Sequence, residues 1–329
     1  MPDLQSYVQI AGQTAANLTQ SPETWTGFLT TASRLYKYPF PDQLMIYAQK
    51  PSSTSVAGFD IWTKQMRRYV RRGAKGIALV GINNGQPRIR YVFDVSDTGC
   101  NNNSCNLYLW QYKEEHRDAI TTTLEKQFGI PCKNGFPGQL EDIAVKLAEN
   151  YWQDYSHEIM YELNGSFLEG LDEFNAGFKF RDVASTSIFY ILVSRCGLHP
   201  GKHFKVEDFQ NLCGFNTQRL IQILGTAVNQ SSAQVLQQIA IAVFNYEHNK
   251  IKSTQKSFVS HKPTDTTQPK KPTVKEIYDK FKPVIKDFII QDKAYQNACR
   301  NGDKENAELE LQSSIKRAAL NIKALEFML

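Results

Sequence analysis

Between Asp60 and Arg90 the chain sets Lys64, Arg67, Arg68, Arg71, Arg72, Lys75, Arg88 and Arg90 against one acid, Asp60, a local charge of +7. The whole chain of 329 residues carries +5, so everything outside this segment sums to −2. Charge focused in this way creates a local field for a polyanion, which a diffuse excess would not. Tyr69 and Tyr91 are interleaved with the cations, as is Trp62, and Phe93 follows. Gly73 and Gly76 flank Lys75 on a turn whose backbone N–H groups could cradle a phosphate. A binder of single-stranded nucleic acid needs cations along the phosphates, flat rings for the bases, and a backbone open to close approach. The segment reads as such a surface. All eight cations are candidate phosphate contacts, with Tyr69 and Tyr91 as candidate stacking rings. Two plainer readings compete, a solvated charged face and a docking site for an acidic protein, and Trp62 and Phe93 also suit a core.

Metal and nucleophile chemistry is harder to find. Two histidines four apart on a helix can face one zinc ion, with a glutamate between them to activate its water. Here His157-Glu158-Ile159-Met160 is followed by Tyr161, where the second ligand would stand. Cys100, Cys105, His116 and Cys132 fit no standard zinc-finger spacing. His199 and His203 flank Pro200-Gly201, which interrupts a helix between them. The chain has no phosphate-binding loop, dinucleotide fingerprint or nucleophile elbow. The expectation is a protein without catalytic residues, metal or cofactor.

The elements that must position the basic segment follow from local signals. Ser21-Pro22-Glu23 reads as a helix start, with Ser as cap and Pro at the first helical position. Trp25, Phe28, Leu29 and Leu35 fall roughly on one face of that helix. A second short helix spans Asp42 to Gln49 and a third Phe59 to Arg68. Two β-like runs, Ile77 to Val80 and Arg88 to Val95, flank the turn Asn83-Asn84-Gly85. Residues 106–113 would add a further strand. Helical patterns follow near 117–128, 137–151, 154–163, 181–196, 216–228 and 231–247, with Val183 to Cys196 apolar on most faces. The predicted fold class is α+β: a small helix-plus-antiparallel-sheet module over 1–113, then a mostly helical domain over 114–248. Residues 249–272, rich in Lys, Ser, Thr and Pro, read as a flexible linker, and 273–329 as a helical tail.

Several runs together resemble a known family. They are Trp25…Phe28, Gln43 to Ala48, Phe59-Asp60-x-Trp62, and Val70-Arg71-Arg72-Gly73-Ala74-Lys75-Gly76-Ile77. In this combination they are similar to the N-terminal domain of ArdC-type antirestriction proteins. The stretches 38–48 and 90–98 are similar to the start of large multidomain proteins of integrative conjugative elements in Gram-positive gut bacteria. The resemblance covers about residues 20–100. It implies a single-stranded-DNA-binding domain of a mobile genetic element. Such proteins carry a second domain like a zinc metallopeptidase, of which 114–248 would be a degenerate form, having lost the ligand at Tyr161.

The leading expectation is therefore a sequence-independent single-stranded-DNA binder that protects incoming DNA from host defence. An alternative is an inhibitor that binds a host defence nuclease or its guide RNA complex, as an anti-CRISPR protein does. A third reading is a residual peptidase or nuclease. No apolar run approaches the ~20 residues of a membrane span, and the first residues lack the pattern of a secretory signal. With six scattered cysteines, the expected compartment is the cytoplasm.

Overall fold

The Ser21 hydroxyl accepts a hydrogen bond from the Thr24 N–H, and Pro22 takes the first helical position, starting α2 (Pro22–Arg34) where the sequence places it. The computed structural model describes residues 4–83, 86–102, 104–105 and 107–258. The fold is α+β. Helices α1 (Leu4–Leu18), α2 and α3 (Phe40–Gln49) precede β1 (Val56–Gly58), a π-helical turn (Ile61–Gln65) and β2 (Tyr69–Val70). The hairpin β3 (Ile77–Asn83) and β4 (Gln86–Asp94) follows, then β5 (Thr98–Gly99). Four helices complete the body: α4 (Arg117–Phe128), α5 (Gly135–Tyr161), α6 (Glu173–Arg195) and α7 (Gln218–Phe258).

The strands form two antiparallel sheets, one in the order β1-β4-β3 and one pairing β2 with β5. Gln49 of α3 clips the β3 edge, donating to the Ala78 carbonyl and accepting from the Ala78 N–H. That satisfies backbone groups an edge strand would leave open. A small core of Leu35, Met45, Ile46, Val56, Ile77, Leu79 and Val92 lies between the three-stranded sheet and the helices.

The expected boundary between a module ending at 113 and a separate helical domain is corrected, because one compact unit includes all the described residues. A second, larger core runs from Leu18, Trp25 and Phe28 through Phe136 and Val183 to Leu224 and Val243. Buried Trp25 donates its indole N–H to Ser187 on α6 at 2.8 Å. Asn229 of α7 donates to the Tyr36 and Tyr38 carbonyls. Residues 107–113 form no strand. Instead, the Arg195 guanidinium lies 3.7 Å from the centre of the Trp110 ring and donates to the Trp110 carbonyl. The predicted segments 137–151 and 154–163 are one helix, α5, and 216–228 and 231–247 are one helix, α7. Helix α7 continues through 249–258, where a linker was expected. Residues 259–272 and the expected helical tail 273–329 lie outside the described residues.

Asp94 pins the start of β1 to the end of β4, accepting from the Thr54 and Ser55 N–H groups at 2.8 and 3.1 Å. Burial pushes its carboxyl up, but hydrogen bonds from Ser96, Thr54 and Ser55 outweigh this and hold it below its ordinary value. A depressed folded value stabilises the protein above the unfolded pKa of about 3.9. That stabilisation disappears as pH falls through the folded value. Asp94→Asn should therefore flatten the loss of stability below about pH 4. Denaturant midpoints measured from pH 6 to pH 2 check this, and parallel curves for the two proteins would refute it.

Candidate nucleic-acid interface

Trp62 organises the basic segment from below. Its side chain is buried, and its indole N–H donates to the Phe93 carbonyl at 2.8 Å. The chain around it is widened into a π-type turn, with Met66 N–H bonded to the Ile61 carbonyl at 2.9 Å. Arg67 then takes a left-handed backbone, φ 52°, which for a non-glycine residue costs roughly 1–3 kcal/mol. Neighbours hold it there. Ser104 donates to the Arg67 carbonyl at 2.7 Å, and the Cys105 N–H donates to the Met66 carbonyl at 2.9 Å.

Glycines set the two tyrosines. Tyr69 of β2 pairs with Gly99 of β5, and a methyl group on Gly99 would lie 2.3 Å from the tyrosine ring. The ring rests on that bare backbone and is still 53% exposed. Gly76 plays a similar part for Tyr91, since an added Cβ there would stand 3.1 Å from it. Tyr91 is 39% exposed and shares a hydrogen bond with Tyr7 of α1. Between the tyrosines, the Ala74 N–H bonds the Arg71 carbonyl at 3.1 Å, closing a turn in which Gly73 takes φ 84°.

Five of the expected cations fit an open surface. The side chains of Arg67, Arg71, Arg72, Lys75 and Arg88 are exposed and bond no side chain or backbone group among the described residues. Three have partners within the chain. Arg90 forms an ion pair with the buried Asp42 of α3, because it alternates along β4 with Val92 and Asp94 on the face turned to the helices. Burial raises the Asp42 carboxyl above its ordinary value even beside that guanidinium. Arg68 is half-buried, donating to Thr98 Oγ1 at 2.8 Å and to Cys100 Sγ, with its guanidinium 5.9 Å from the Trp62 ring centre. Lys64 pairs with Asp60 at 3.1 Å, but both are so exposed that the pair is weak and easily exchanged.

The comparisons with known proteins add nothing to this geometry. No family model, curated protein or solved structure matches the chain.

Sequence reasoning missed Phe59 and Ile61, both exposed at the edge of the same segment. Phe59 packs edge-on to Phe93 with ring centres 6.4 Å apart. An inward Trp62 forces its neighbours outward, but only the burial of Trp62 reveals this. His157 and Tyr161 are solvent-exposed on α5. Among the described residues, no group of three or more His, Cys, Asp or Glu side chains converges as a metal site would. No helix among those residues is long and apolar enough to cross a membrane.

Proposed function

We propose that this chain binds single-stranded DNA without regard to sequence, through the face built from 59–76 and 86–99. One observation carries the reading. The side chains of Arg67, Arg71, Arg72, Lys75 and Arg88 are exposed and bond no described residue, and Tyr69 and Tyr91, each lying against a glycine, are exposed in the same two segments. Cations committed to folding are tied to protein groups, as Arg90 is to Asp42 and Arg195 to Trp110. The cellular role, protection of DNA entering a bacterial cell on a mobile element, rests on the motif residues shared with ArdC-type proteins. Occlusion of a strand from nucleases needs no catalytic group and no cofactor.

The test is affinity for single-stranded and duplex oligonucleotides at two salt concentrations. Three to five neutralised phosphates give a log–log salt slope of roughly −2 to −3.5 on a single strand. Randomised sequences should bind alike, because stacking and phosphate contacts read no base edges. Equal affinity for duplex and single strand would remove the stacking role of the tyrosines.

Tyr69→Ala should weaken binding by about 1–3 kcal/mol, roughly 5- to 150-fold, the range for one base–aromatic stack. Gly99→Ala should reproduce much of that loss with Tyr69 intact, since the new methyl must displace the ring. Fluorescence titration of both variants decides this, and normal affinity in Gly99→Ala would separate the glycine from the site.

A protein partner is the second reading. Phe174 and Phe178, four apart on α6, are 77% and 59% exposed, an unusual investment of aromatic surface in solvent. Stable capture of a host nuclease or its guide complex in the absence of DNA would favour an inhibitor over a coat.

A further inference from the structure

The segment that bears Arg67 and Arg68 is braced by a loop with an exposed cysteine on each side of a tight closure. Asn101 and Ser104 bond each other reciprocally: Asn101 N–H to Ser104 Oγ at 2.8 Å, and Ser104 N–H to the Asn101 carbonyl at 3.0 Å. Cys100 and Cys105 are the residues just outside that closure, both exposed and both free thiols. A disulfide needs Cα atoms roughly 4.4–6.8 Å apart. The turn between residues 101 and 104 folds the chain back on itself, with Cys100 and Cys105 standing immediately on either side of it. Each sulfur also contacts the 65–68 segment. Cys100 Sγ accepts from Arg68 Nη1, and Cys105 Sγ lies 3.6 Å from the Gln65 carbonyl oxygen.

We infer that Cys100 and Cys105 form a redox-active dithiol whose oxidation rearranges residues 65–68. The chemistry is thiol–disulfide exchange with a small-molecule disulfide. The Cys100 sulfur, deprotonated, attacks one sulfur of the oxidant and expels the other half as a thiolate. The Cys105 sulfur then attacks Cys100 in the mixed disulfide and expels the second half. The cysteines lose two protons and two electrons, and the oxidant becomes two thiols. Bridging draws Cys100 from Arg68 and Cys105 from Gln65, and so loosens the brace under the left-handed Arg67. Any effect on DNA rests on the binding role proposed above. The dithiol itself does not.

The experiment exposes the full chain to oxidised glutathione and maps peptides without reduction. Expected is a peptide containing residues 91–113, unbroken, lighter by two hydrogens, resistant to alkylation and restored by dithiothreitol. Amide exchange at 65–68 should rise on oxidation, and a Cys100→Ser/Cys105→Ser variant should show neither change. Stable glutathione adducts without an internal bridge, or a bridge that leaves exchange at 65–68 unaltered, would overturn the proposal. Single-strand affinity of reduced protein is measured in parallel. Its absence defeats the DNA-binding reading while the mass and exchange data still judge the dithiol.

Discussion

Reversing the charge at Arg71, Arg72 and Lys75 together, each to Glu, should reduce single-strand binding by roughly two orders of magnitude at low salt and make the salt slope shallower by about 2. The slope follows from three lost phosphate contacts at about 0.7 each on a single strand. The protein should stay folded. All three side chains are exposed and bond no described residue, and surface changes of this kind move stability by about 0.5 kcal/mol or less. The turn itself depends on Gly73 and the Ala74 N–H, which the variant keeps.

Arg90→Glu is the necessary contrast. It would set a second carboxylate against buried Asp42 and lower stability, so any loss of binding there would follow the loss of fold. A gel-shift titration beside a thermal melt separates the two cases. If the triple variant is folded and binds with unchanged affinity, the interface lies elsewhere.

Arg90 and Arg68 show where sequence reading stops. A basic residue next to another in sequence says nothing of an acid 48 residues away on α3, yet Asp42 decides what Arg90 does. Arg68 likewise depends on Thr98 and Cys100, 30 and 32 residues on. The signals that succeeded were local. Ser21-Pro22 starts α2, the runs on either side of Asn84-Gly85 are paired strands, and 117–128 is a helix with the predicted ends. Residues 249–258 were misjudged for a related reason. Their polar composition signals absence of a core, but Lys and Gln are good helix formers, and a helix begun at Gln218 extends at little cost.

Phe40→Ala should destabilise the whole protein by about 3–5 kcal/mol, the usual loss for emptying a phenylalanine site in a packed core. Phe40 is 1% exposed and stands edge-on to Phe28, with ring centres 5.6 Å apart. Another neighbour is Gly225 of α7, where an added Cβ would fall 2.1 Å from the ring. A glycine inside a helix costs about 1 kcal/mol relative to alanine. Here it gives the ring of α3 room to seat against α7, joining the part that carries the sheets to the helical body. Gly225→Ala alone should therefore destabilise by overpacking, about 1–3 kcal/mol, despite its better helix propensity. In the Phe40→Ala background the sign reverses, because the new methyl then enters the space the ring has left and the helix gains its propensity. The pair is coupled, and a double-mutant cycle measures how strongly. Denaturant unfolding of the four proteins provides the cycle. Additive effects would mean that α3 and α7 do not meet through this ring. Two separate transitions in the parent, one for 4–113 and one for 114–258, would return the molecule to a two-domain description. With one shared core from Leu18 to Val243, the expected result is a single transition for both parts, the basic face melting together with the helices beneath it.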